Sequence, residues 1–167
     1  MRHIFNTLAL FFLFPGGLFA QIPGKPPAQT IPQFQFFRFN NTSFTDKDLP
    51  QGKIIFFMFF DSDCDHCQHA IKSIGDQYQV FKKAAVFLIS IDDQNKINHF
   101  MDTYGSKLKG QKNVTLLQDK LQQFIIKFNP VRYPSMFIYS PEKKLIDYED
   151  NPESIFRLVN AINKTGK

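Results

Sequence analysis

The stretch "KIIFFMFF", residues 53–60, constrains this chain more than any other. A continuous apolar run of this length is far short of the ~20 residues a membrane-spanning helix needs. It has the form of a strand buried on both faces of a sheet. "AAVFLISID", starting at Ala84, repeats the pattern. A chain with two such strands must cover both sides of its sheet, so the segments between them should supply amphipathic layers.

They do. A helical segment runs from about Cys67 to Lys82, and "NKINHFMDTYGSKL" puts Ile97, Phe100, Met101 and Tyr104 on one helical face. "NVTLLQD" reads as a short strand and "KLQQFIIKFN" as a helix ending before Pro130. "SMFIYS" and "LIDYED" read as two strands joined at "PEKK". "NPESIFRLVNAINK" closes the chain as a helix, with Asn151 as cap and Pro152 in its first turn. Ahead of the first buried strand, "FQFFRFNNTSFT" alternates around an Asn-Asn turn as a hairpin does, and "DKDLPQGK" is a helical turn broken by Pro50 and Gly52. Strands alternating with helices predict an α/β domain with parallel pairs in a central sheet. At 167 residues there is room for one such domain with a real core.

The N-terminus has a different character. "MRHIFNTLALFFLFPGGLFAQ" carries Arg2, an apolar run from Leu8 to Phe14, a Pro-Gly-Gly break and the exit "LFA". These are the three parts of a secretory signal peptide, here residues 1–20, although Leu18 and Phe19 are bulkier than a usual exit and leave an uncleaved anchor as the alternative. Residues 21–33, "QIPGKPPAQTIPQ", read as a Pro-rich linker or arm, and the domain is expected to span 34–167. The protein is therefore expected outside the cytoplasm.

The formal net charge is +5, spread without a long basic block, which reads as a solvated face and predicts no nucleic-acid partner. The 21 phenylalanines, with no tryptophan, read chiefly as an aromatic core.

The chain's two cysteines, Cys64 and Cys67, sit in "FFDSDCDHC", directly after the first buried strand. Covalent haem attachment wants a histidine immediately after the second cysteine, and Gln68 stands there. A structural zinc site wants four ligands, and there is only one such pair. A disulfide over so short a loop constrains little of the unfolded chain, so stapling is a weak explanation. Two readings stay open. A thiolate pair suits Cu(I), with His66, His69 or His99 assisting. Thiol–disulfide exchange needs an accessible nucleophile and a second thiol to resolve the mixed disulfide. Cys64 at a helix start, where unpaired N–H groups favour a negative sulfur, fits the nucleophile, and Cys67, one turn in, fits the resolving thiol. Protonated His66 favours the thiolate, while Asp61, Asp63 and Asp65 oppose it and read mainly as helix-capping and solvating groups.

Taken together, "FFDSDCDHC", "RYPSMFIYSPEKKLIDY" and the last helix resemble the thioredoxin superfamily, most nearly its exported TlpA/ResA-like thiol–disulfide oxidoreductases, from about Ile31 to Lys164. The resemblance implies a thioredoxin-like α/β fold, with a mixed central sheet flanked by helices, the N-terminal β-hairpin, and an inserted αβ segment within residues 85–112. It implies that Pro134 is a cis-proline facing the cysteines and that Tyr133 offers backbone groups to a bound substrate chain. From local sequence alone a trans bond is the commoner state. It further implies protein thiols or disulfides as substrates, a membrane electron donor or an oxidant as recycling partner, no metal and no cofactor beyond a Cys64–Cys67 disulfide, a monomer, and a periplasmic location.

The departures are specific. Met58 and Ala70 stand where members of the superfamily place buried carboxylates, and Asp63 stands where thioredoxin has tryptophan. The histidine before the second cysteine is similar to that of oxidising members, which leaves the direction of electron flow open. A non-catalytic accessory domain is a further alternative. A peroxide reductase is disfavoured, since "FFDSDC" lacks the threonine and proline that peroxiredoxins place ahead of their nucleophile.

Overall fold

A computed structural model describes residues 24–166, so the predicted signal peptide, residues 1–20, lies outside the described residues. The first buried run forms β3 (Ile54–Phe59), and every one of its residues is buried. Its side chains alternate between two cores. Ile54, Phe56, Met58 and the following Phe60 enter one; Ile55, Phe57 and Phe59 enter the other. β4 (Ala84–Ser90) pairs parallel with β3, and β5 (Val114–Gln118) pairs parallel with β4. β6 (Ser135–Tyr139) pairs antiparallel with β3, and β7 (Leu145–Glu149) antiparallel with β6. The hairpin β1 (Gln35–Phe37) and β2 (Ser43–Thr45) extends the far edge through β5. The result is one mixed sheet in the order β2-β1-β5-β4-β3-β6-β7, a thioredoxin-like α/β architecture.

The first core is closed by α1 (Asp65–Asp76), α3 (Gln94–Thr103) and α5 (Ile155–Thr165). Ile71, Ile74, Ile97, Phe100, Leu158 and Ile162 all reach it. The second core is aromatic. α4 (Gln123–Phe128) lays Phe124 and Phe128 against the sheet, stacked on each other at 4.2 Å, and Phe124 stacks on Phe59 at 4.5 Å. Phe34 and Phe36 close it from the hairpin side. Within the proposed insertion, residues 85–112, lie most of β4, all of α3 and a 3-10 turn, Ser106–Leu108.

Two predicted helices take a different form. The helix expected from about Cys67 to Lys82 begins at Asp65 and breaks at Gln77, after which α2 (Tyr78–Phe81) is a single turn. Tertiary anchors override helix propensity there: the Tyr78 hydroxyl donates to Asn113 Oδ1 at 2.8 Å, and Phe81 packs edge-on to Phe56 at 5.0 Å. The helix read across "KLQQFIIKFN" shortens to α4 because the Asp119 carboxylate accepts from the N–H groups of Gln123 and Phe124, at 2.9 and 2.7 Å, and starts the helix there. Gln122 just before it is left-handed, at φ 51°. The Pro-rich segment, read as a linker or arm, is docked over residues 26–31. Ala28 N–H donates to Phe128, Ile31 N–H to Lys143, and the Tyr139 hydroxyl to the Ala28 carbonyl. Proline leaves that arm few donors of its own, and two of them, the Ala28 and Ile31 N–H groups, are used here.

Phe124 is fully buried in the second core, where it meets Phe36, Phe57, Phe59, Phe128 and Phe137. Replacing it, Phe124→Ala, should destabilise the protein by about 3–5 kcal/mol, read as a lower urea midpoint at unchanged slope. A loss under ~1 kcal/mol would mean that the hairpin and α4 are not one packed unit with the sheet.

Candidate functional site

β3 ends at Phe59 in the middle of the sheet, and the chain must turn there before α1 can pack back on the first core. The turn holds Asp61 to Cys64. Asp61 Oδ1 accepts from the Asp63 N–H at 2.8 Å, and the Asp61 carbonyl accepts from Cys64 N–H at 3.3 Å. Cys64 is itself the N-cap residue of α1, in extended conformation, and its carbonyl accepts from the N–H groups of Cys67 and Gln68. No aspartate side chain caps this helix, contrary to the expected capping role. Asp63 instead pairs with Lys96 at 2.8 Å on the surface, and Asp65 is exposed in the first helical turn.

Cys64 is half-buried and Cys67 buried. Burial pushes the Cys67 thiol well above its usual range, a hydrogen bond with the Asp61 backbone opposes the shift, and Cys64 beside it adds to it. Met58 and Ala70 are both fully enclosed in the apolar core that Cys67 joins, so no carboxylate stands at either position to take its proton. His66 is exposed and makes no hydrogen bond or ion pair among the described residues.

Tyr133 and Pro134 approach from β6. Their peptide bond is cis, and Pro134 is buried. The approach is pinned from behind: Ser135 Oγ donates to the Arg132 carbonyl at 2.6 Å and lies 2.9 Å from the Tyr148 hydroxyl, which accepts from Val131 N–H at 3.0 Å. The Tyr133 ring leans on Phe59 at 4.9 Å. Burial, reinforced by the negative charges of Asp61 and Asp92, pushes its phenol up to about 12, so it stays a protonated donor at neutral pH. Cys64, Cys67 and Tyr133 thus share one cluster, with His66 at its solvent edge.

Two features of the site escaped the sequence reading. Asp92, just past β4, accepts from the Ser62 N–H at 2.8 Å and from the Ser90 hydroxyl at 3.1 Å, and so bolts the cysteine turn to the neighbouring strand. Burial disfavours its charge, but those hydrogen bonds and Lys96 outweigh it and hold the carboxyl below the usual range. The only sequence signal was the acidic pair "DD" following a buried strand. The second feature is an apolar groove of about 180 Å³ beside Tyr133, walled by Phe59, Ile125, Pro130, Val131 and Arg132. Ile125 is 45% and Val131 66% exposed, an arrangement that marks contact surfaces. Ile125 and residues 130–133 are close in sequence, but nothing local brings Phe59 of β3 against them.

Among the described residues, no three His, Cys, Asp or Glu side chains gather as a metal site, and no helix is long and apolar enough to cross a membrane.

Comparison with known proteins places this geometry in context. The model of the AhpC/TSA family matches residues 27–148. The thiol-disulfide oxidoreductase ResA of Bacillus subtilis is 23% identical over 141 residues, covering 83% of this chain and 75% of that protein. Among solved structures, a putative thiol:disulfide interchange protein DsbE from Chlorobium tepidum superimposes with a TM-score of 0.66 at 15% identity, over 85% of this chain and 99% of that one. Peroxidoxin BcpB from Mycobacterium tuberculosis does so with a TM-score of 0.67 at 14% identity, over 83% and 96%. At these identities the two structures speak for the fold alone.

The difference in burial between the thiols has a direct consequence. Iodoacetamide at pH 8 should label the reduced native protein once, at Cys64, and label Cys67 only after unfolding, as read by peptide mass spectrometry. Equal labelling of both in the native state would contradict the site described.

Proposed function

The chain belongs to the AhpC/TSA family, and from that premise we propose that it is an exported thiol–disulfide oxidoreductase acting on protein disulfides through Cys64 and Cys67. The observation that carries the reading is the pairing of an accessible thiol at the start of α1 with a buried one a single turn further on. The Cys64 thiolate attacks a partner disulfide; one partner sulfur leaves as thiolate and Cys64 is held in a mixed disulfide. Cys67 gives up its proton and attacks Cys64 Sγ, the second partner sulfur leaves, and the protein keeps a Cys64–Cys67 disulfide. The partner has gained two electrons. A membrane donor returns them in the next half-cycle, and no other cofactor is needed.

Tyr133 and Pro134 orient the partner chain beside the thiols, the neighbouring apolar groove receives one of its side chains, and His66 tunes the Cys64 thiolate. The similarity to ResA, a thiol-disulfide oxidoreductase, supports the exchange chemistry, for which the direction proposed is reductive; residues 1–20, read as a signal peptide, support a periplasmic location, where the protein acts as a monomer. A Cu(I) carrier is less well supported, because His66, His69 and His99 are all exposed and none gathers with the thiols.

Equilibration against dithiothreitol and glutathione buffers tests the reading. A reversible two-electron couple below the glutathione poise, about −220 to −260 mV, is expected. A couple near −120 mV would reverse the direction, and no reversible couple would end the redox reading. Cys64→Ser should abolish disulfide reduction, while Cys67→Ser should accumulate the mixed disulfide at Cys64. Charging the groove with Val131→Glu should raise KM for a protein disulfide by about tenfold, since it removes roughly 1.4 kcal/mol of apolar contact, and should slow a small disulfide much less. An unchanged KM would take the groove out of partner binding.

A further inference from the structure

At the opposite end of the sheet from Cys64 lies a cleft of about 350 Å³. β3 separates the two, and its six residues span about 20 Å. Arg38, Lys53, Lys82, Lys83 and Lys112 all line this cleft. They come from four stretches distant in sequence: the end of the hairpin's first strand, the entry to β3, the exit of α2 and the entry to β5. In the sequence they are the scattered charges of a solvated surface; the parallel arrangement of β3, β4 and β5 brings their N-terminal ends, and these cations, to one place.

None of the five forms an ion pair among the described residues, whereas Lys96, Lys107, Lys109, Arg132 and Arg157 each do; Lys83 Nζ donates to Asn163 Oδ1 at 2.8 Å. The one carboxylate on the cleft wall, Asp48, accepts through Oδ2 from the Thr45 N–H and hydroxyl at 2.7 and 2.8 Å and offsets one of the five cations, chiefly Arg38, so the cleft keeps a clear positive excess. The framework is rigid. Asn113 Nδ2 donates to the carbonyls of Phe81 and Ala84, at 3.1 and 2.9 Å, and so ties the Lys82–Lys83 corner to the segment bearing Lys112. Arg38 is held 4.6 Å over the Phe44 ring. Five like charges in one concavity repel each other, and the arrangement is relieved when a compact anion neutralises several at once.

We propose that this cleft binds a phosphate-bearing ligand. A phosphate group brings nearly two charges and several strong acceptor oxygens into the space of one small group, which suits a guanidinium and several ammonium donors around it. The volume sits at the small end of ligand pockets, which run from about 300 to 1,000 Å³, and so matches a head group or a small phosphate ester rather than a polymer. The same chemistry is offered by a soluble phosphate ester and by the head group of an anionic phospholipid, and the cleft stands independently of the thiol chemistry at the other end.

Two probes test it. In an NMR titration, pyrophosphate should shift the amides of Lys53, Ala84, Lys112 and Thr115 saturably, and Lys53→Gln/Lys112→Gln should weaken binding by about tenfold while the distant Lys72→Gln leaves it unchanged. In a flotation assay, phosphatidylglycerol vesicles are compared with phosphatidylcholine vesicles. Anionic vesicles that bind the protein and are displaced by pyrophosphate identify a lipid head group; pyrophosphate binding without vesicle binding identifies a soluble ester. Shifts that never saturate, that sodium chloride of equal ionic strength reproduces, or that persist in the double variant overturn the proposal. So does vesicle binding that the double variant retains in full.

Discussion

The burial of β3 on both faces is the constraint on which the rest of the molecule depends. A strand whose alternate residues enter two different cores has no freedom to slip in register, because a one-residue shift would exchange Phe56 and Met58 for Phe57 and Phe59 in spaces shaped for the others. That fixed register sets where the strand ends. The turn after Phe60 then emerges at the sheet's rim, and α1 has to start there to bring Ile71 and Ile74 back onto the first core. Cys64 is half-buried and Cys67 buried as a result of this packing, before any chemistry is considered.

The two cores have different textures. The first mixes aliphatic side chains from its helices with a few rings such as Phe56, Phe60, Phe81 and Phe100, and it also holds Met58, Ala70 and Cys67. The second is built from rings: Phe34, Phe36, Phe57, Phe59, Phe124, Phe128 and Phe137 stack or meet edge to face within about 4–6.5 Å of one another. Aromatic pairs have preferred geometries, so this side gains orientation as well as apolar burial. Phe59 belongs to that network and also supports Tyr133, which links the aromatic core to the proline loop. The high phenylalanine content thus has a structural use close to the thiols, consistent with an aromatic core whose edge forms part of a groove.

The site is braced by polar groups that contribute no thiol chemistry. Asp92 holds the cysteine turn from β4, and Tyr148 with Ser135 holds the proline loop from β7 and β6. Each brace satisfies backbone N–H groups that would otherwise be costly to leave unpaired near the core. The Cys64–Cys67 turn and the Tyr133–Pro134 loop are thus each braced on their own by a neighbouring segment.

Much of this was legible in the chain itself. Unbroken apolar runs identified β3 and β4, since a strand covered on both sides has no polar face to show, and the spacing of Cys64 and Cys67 at the start of an amphipathic segment marked the centre of the site. The element order followed from alternating periods, because those depend on neighbours a few residues away. What the sequence could not state are relations between distant segments. The break at Gln77 needs Asn113 and Phe56; the start of α4 needs the buried Asp119; the docking of the Pro-rich arm needs Phe128 and Tyr139. The packing of Phe59 against the 125–133 stretch that closes the groove, and the convergence of Arg38, Lys53, Lys82, Lys83 and Lys112, are of the same kind. Local sequence determined which elements form and where the thiols sit, because hydrophobic period and helix-end chemistry act over a few residues. Only the tertiary structure decided what surrounds them, because that depends on which side chains a closed sheet brings together across the chain.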